Sequence, residues 1–174
     1  MILIFLVACT VSHPQNLAKE KQAQTLNIQG LQALRENKTK EAQANFYLAY
    51  QLFPNPESLD GLGVCQINLK NFRSAQTIYI LAYQEDPNYY NSLINLAFLY
   101  EQYGYHDLAE KIYQDLILKY PENYKLQNNF SVFLFDYYGQ QSIDQVELRL
   151  LQAKSMSSDP KILRNLQKVI KDEY

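Results

Sequence analysis

The chain has 174 residues, 47% of them hydrophobic, and its 16 Lys and Arg against 18 Asp and Glu leave a formal net charge of −2. That length corresponds to one domain, the apolar content is ordinary for a packed core, and the near-neutral balance removes the electrostatic case for nucleic acid as a partner. The two cysteines, Cys9 and Cys65, lie in different settings and are read as separate rather than paired.

Residues 2–8, Ile-Leu-Ile-Phe-Leu-Val-Ala, form an unbroken apolar run that ends at Cys9. The run is too short to span a bilayer as a helix. It fits the hydrophobic part of a secretory signal, although no Lys or Arg precedes it. Leu6-Val7-Ala8-Cys9 resembles the bacterial lipoprotein processing box. That resemblance implies a signal segment over 1–8, lipidation of Cys9 and a membrane anchor. Thr10 stands where an aspartate would imply inner-membrane retention, so the same resemblance favours the outer membrane, facing the periplasm. The alternative is an apolar N-terminus packed on the first helices. Residues 9–16 read as a short polar tether, with His13 a tether residue that has no metal-binding company.

Helical spacing begins near Leu17 and continues to Glu36, with a turn at Asn37-Lys38. From there the chain repeats itself. Leu26, Gly30, Ala42, Phe46, Ala49 and Pro54 recur as Leu59, Gly63, Ala75, Tyr79, Ala82 and Pro87, and again as Leu93, Ala97, Ala109, Tyr113, Leu116 and Pro121, at a period of 33–34 residues. Such a period marks helix-turn-helix units that stack because none can bury its apolar face alone. Three units are predicted near 23–55, 56–89 and 90–123, with a degenerate fourth near 124–158, so the array covers 17–158. In each first helix a small residue (Gly30, Gly63, Ala97, Ser131) allows close approach of the second helix; glycine there costs about 1 kcal/mol of helix propensity and needs such a reason. Cys65 is expected as an inert buried thiol. His106 is expected at an aromatic packing position at the start of a second helix. The final segment, 159–174, is a capping helix: Asp159 as N-cap, Pro160 in the first turn, an apolar stripe of Ile162, Leu163, Leu166, Val169 and Ile170, and a basic face of Lys161, Arg164, Lys168 and Lys171.

These recurring positions resemble the tetratricopeptide repeat family, known for binding other proteins. The resemblance implies an all-α, right-handed superhelical array of hairpins. Tryptophan is absent, and Ala33 and Gln66 stand where Tyr100 keeps the family's aromatic.

In a stacked array the first helices line a concave surface. The residues that follow each small position are Leu31, Val64, Phe98 and Val132; with Leu34, Ile67, Ile94 and Phe135 they form a second apolar stripe. A solvated helix is polar on that face, so the stripe reads as a groove for a protein partner, either a helix or an extended peptide. Asn27, Asp60, Asn95, Asn128 and Asn129 flank it and are candidates to hydrogen-bond the partner's backbone. The other occupants are the chain's own N-terminal segment, its own last helix, or a second copy. Only Arg35 and Lys125 come near the groove, which disfavours a C-terminal acidic peptide as ligand.

No nucleophile–base pair, metal-spaced His/Cys cluster or phosphate loop is present in the sequence, so neither an enzyme nor a cofactor nor a small-molecule substrate is expected. The leading reading is a lipid-anchored envelope adaptor. Within it, the run Asn128-Asn129-Phe130-Ser131-Val132-Phe133-Leu134 resembles a segment of type IV pilus assembly lipoproteins, the pilotins, which implies a role in secretin assembly. The alternatives are a general periplasmic scaffold for cell-wall enzymes and a self-assembling structural subunit.

Overall fold

A computed structural model describes residues 14–172; the apolar run, Cys9 and His13 lie outside the described residues. Four helical pairs and a lone final helix succeed one another: α1 (Pro14–Arg35) with α2 (Thr39–Leu52), α3 (Pro56–Asn68) with α4 (Phe72–Glu85), α5 (Asn91–Gln102) with α6 (His106–Lys119), α7 (Tyr124–Tyr138) with α8 (Ile143–Met156) across a 3-10 turn at Gly139–Ser142, and then α9 (Pro160–Asp172). Each helix packs on the next, and first helices also touch the first helix of a neighbouring unit, as α1 does α3 and α3 does α5. The molecule is a solenoid of helical hairpins.

Local chemistry sets the boundaries. Asn37 and Lys70 close the first two hairpin turns at φ of 59° and 61°, and Gly104 closes the third at 78°. Only the glycine adopts that left-handed backbone without steric cost. Asn55 caps α3, its Oδ1 accepting from the Ser58 backbone N–H at 2.8 Å, and Pro56 fills the first turn. Asn123 does the same for α7. The first helix starts at Pro14, so the last three residues of the expected tether are helical. Proline's fixed φ suits a helix start.

Inside each of the first two hairpins a ring lies on a glycine. A Cβ on Gly30 would sit 2.8 Å from the Phe46 ring, and a Cβ on Gly63 would collide with Tyr79. Gly61, which the repeat pattern does not single out, is needed too: a Cβ there would strike Phe46 of the preceding unit. Two stripes on each of α3, α5 and α7 are therefore largely buried. One faces the preceding unit: Ser58, Leu62 and Cys65; Ser92, Leu96 and Leu99; Leu126, Phe130 and Phe133. The other faces the helix's own partner, as Leu59 and Gly63 do on α4.

The last helix obeys the same register. Ile162, Leu166 and Val169 repeat the first stripe and are buried on α7 and α8. Leu163 and Ile170, expected in one continuous apolar stripe, are instead 45% and 41% exposed. They occupy the second stripe, which in other units is covered by a second helix, and no such helix follows among the described residues. Thus α9 stands in the register of a first helix, packed on α7 and α8. At the opposite end, the equivalent outward stripe of α1 is Thr25, Gln29 and Gln32, polar and largely open to solvent.

Candidate protein-binding groove

The eight apolar residues of the expected groove separate into three groups. Leu31 and Phe98 are open to solvent, 48% and 46% exposed. Val64, Ile94 and Val132 are half-buried along the same face. Leu34, Ile67 and Phe135 turn inward enough to pack against the core, Leu34 on the Phe46 cluster and the other two on the Tyr79–Tyr113 cluster. The stripe is therefore open over α1 to α5 and closes toward α7. There α9 supplies the cover: Lys168 Nζ lies 3.2 Å from Asp136 Oδ1 and 5.0 Å above the Phe135 ring, and Val132, Phe135, Asn165 and Lys168 line one small cleft.

The polar flank is bonded within the chain rather than left free for a ligand. Ser58 Oγ donates to Asn27 Oδ1 at 2.8 Å, and Asn27 Nδ2 donates to Asn55 Oδ1 at 3.3 Å. Asn95 Nδ2 donates to both oxygens of Asp60 at 2.9 and 3.0 Å, and the Tyr89 hydroxyl adds a third bond at 3.3 Å. Asn165 Nδ2 donates to Asn128 Oδ1 at 2.8 Å, while Asn128 itself reaches Asn129 Oδ1. The reason is geometric. Asn27, Asp60 and Asn128 each stand three residues before the small residue of their helix, where the next unit's first helix or its corner comes within reach. They form a ladder of polar bonds that joins α1 to α3, α3 to α5 and α7 to α9, and α5 carries Ile94 at the same position. Burial pushes the Asp60 carboxyl up to about 6, with Glu57 adding to the effect and the Asn95 and Tyr89 bonds opposing it.

Cys65 is fully buried, and desolvation pushes its thiol up to about 11, the opposite of an activated nucleophile. The His106 ring stacks on Tyr137 with centroids 4.1 Å apart, fulfilling its expected aromatic packing role. Among the described residues no group of three or more His, Cys, Asp or Glu is placed to hold a metal, and no helix is long and apolar enough to cross a membrane.

A stack of helical hairpins of this kind is a tetratricopeptide-like solenoid. The chain belongs to the coatomer epsilon subunit family, whose model matches residues 33–137. Among solved structures, it is similar to a thermophilic tetratricopeptide repeat protein of Thermus thermophilus, TTC0263, with TM-score 0.71 and 20% identity over 84% of this chain and 80% of that one. It is similar to pilF of Pseudomonas aeruginosa, with TM-score 0.73 and 14% identity over 90% and 71%. Cut9 in the APC/C hetero-tetramer Cut9–Hcn1 superposes with TM-score 0.64 at 16% identity over 85% of this chain and 30% of that chain. No curated protein matches the sequence. At these identities the structural likeness concerns the fold.

Proposed function

We propose that the chain is an adaptor that holds an apolar or amphipathic segment of a partner protein along its concave face. The observation that carries the reading is the pair Leu31 and Phe98, large apolar side chains left about half exposed on first helices of a fold built for protein contact. Because the polar ladder is already satisfied, affinity comes from apolar contact, and the partner contributes side chains rather than a backbone to be read. The test is affinity capture from solubilised envelopes with wild type and with Leu31→Asp plus Phe98→Asp, after circular dichroism shows equal helicity. The double variant is expected to lose at least tenfold in captured partner, since two buried apolar contacts of about 1.5 kcal/mol each are removed. Capture unchanged by the substitutions would remove the groove from consideration.

Envelope anchoring forms part of this proposal. The tetrapeptide Leu6-Val7-Ala8-Cys9 supports lipidation at Cys9 and attachment to the outer membrane on its periplasmic side. The pilotin-like run at 128–134 supports a place in type IV pilus or secretin assembly, with a periplasmic scaffold as the alternative. Labelling with a fatty-acid analogue should mark wild type and leave Cys9→Ser unmarked; equal labelling of both would refute the anchor.

A further inference from the structure

Two faces without a partner among the described residues lie at opposite ends of the array. The first is the open end of the groove, a cavity of about 580 Å³ with Ile28, Leu31 and Phe53 on its floor and Glu20 and Glu57 among the residues around it. Among the described residues no Lys, Arg or His lines it. The second is the free margin of α9. Leu163 and Ile170 are seven residues apart, two turns along one face, which places them about 10.5 Å from each other. Arg164 and Lys171 have the same spacing, are exposed beside that pair, and make no ion pair among the described residues.

We propose that the groove's open end receives the α9 margin of a second copy of this chain, producing a head-to-tail assembly. The inference rests on the groove reading given above and names its occupant. Leu163 and Ile170 match the apolar floor, and Arg164 and Lys171 match the carboxylates of Glu20 and Glu57. The other ways of covering the same margin are disfavoured. Two α9 margins facing one another would bring Arg164 and Lys171 against their own copies, a like-charge contact. Stacking on the outward stripe of α1 would set Leu163 and Ile170 against the polar Thr25, Gln29 and Gln32. A ring-bearing helix of the kind found inside the hairpins has no seat, because Gln167 stands where Gly30, Gly63, Ala97 and Ser131 stand in the other units. Since groove and margin sit on different ends of one molecule, the contact is heterologous and adds copies in a chain that ends only where the rotation closes it into a ring.

The experiment is sedimentation of the purified full chain over a wide concentration range, alone and in mixtures of variants. Wild type is expected to gain mass with concentration, and raising the ionic strength well beyond physiological to weaken association about tenfold as the charge pairs are screened. Leu31→Glu and Leu163→Glu, both at exposed positions, should each be monomeric alone. Mixed, they should form a one-to-one dimer that grows no further, because one supplies an intact margin and the other an intact groove. Glu57→Lys, which leaves the floor untouched, provides a second groove variant should Leu31→Glu lose helicity. Monomeric wild type at every concentration, or a mixture that stays monomeric, overturns the inference. If wild type is monomeric yet still captures a foreign partner through Leu31 and Phe98, the groove reading stands and only the second copy is eliminated as occupant. If it does neither, both readings fall.

Discussion

Tyr79 and Tyr113 fill the same place in successive hairpins, but only one of them has a partner for its hydroxyl. Tyr113 donates to Glu101 Oε1 at 2.7 Å, whereas the Tyr79 hydroxyl is buried with no hydrogen-bond partner among the described residues. Glu101 stands four residues after Ala97; the residue four after Gly63 is Ile67, which has nothing to accept with. A buried unsatisfied hydroxyl is destabilising, while a bond to a carboxylate is worth about 1.5 kcal/mol or more. Tyr79→Phe is therefore expected to leave stability unchanged or raise it by about 1 kcal/mol, some 2–4 °C in Tm for a chain of this size. Tyr113→Phe should lower it by about 1.5 kcal/mol. Thermal unfolding of the two variants separates the cases, and shifts of the same sign would refute the argument. Gly63→Ala belongs to the same hairpin: its Cβ meets the Tyr79 ring, so about 1–3 kcal/mol should be lost to overpacking.

Between elements, the bond from α5 to α3 is sensitive to protons. The Asp60 carboxyl is raised to about 6, chiefly by burial, from an ordinary value of 3.8. A carboxylate raised in the native state takes up its proton earlier than the unfolded chain does. Its contribution to stability is complete below about pH 4 and is lost as pH rises through 6. Asp60→Asn keeps an acceptor for Asn95 and removes the titration. Stability of wild type relative to this variant should fall by about 2 kcal/mol between pH 4 and 7, measured by urea unfolding at each pH; a constant difference would mean that Asp60 does not titrate there. The hairpin boundaries around this bond are legible in the sequence, since Pro54, Pro87 and Pro121 recur and each small residue of the first three units precedes a ring by 16 residues. The ladder is not. Asn27, Asp60 and Asn128 look like free donors and acceptors until folding brings up partners 28 to 37 positions away. Gly61 is missed for a related reason: its counterparts are Ile28, Asn95 and Asn129, so no period announces it. The same holds for α9, where five apolar residues read as one stripe until the absence of a covering second helix among the described residues divides them.

At the scale of the molecule the core is unequal. The cluster around Phe46 comprises seven buried residues, three of them alanines, whereas the cluster from Ala75 to Val169 comprises eighteen and includes Tyr79, Tyr113, Phe130 and Phe133. Solenoids open locally, with energies set by the contacts of each unit and its neighbour. Amide hydrogen exchange should therefore be faster in α1 and α2 than in α7 and α8, and uniform protection along the chain would show that the array behaves as a single cooperative block. One geometric demand runs through all of it. At every hairpin turn the backbone passes through a positive φ, met by Asn37, Lys70, Gly104 and Gly139 in turn. Three residue types meet that positive φ, the asparagine and the lysine at a steric cost that glycine avoids. Each corner turns the chain back so that the second helix lies on its own first helix, and the first helix keeps its other face for the groove.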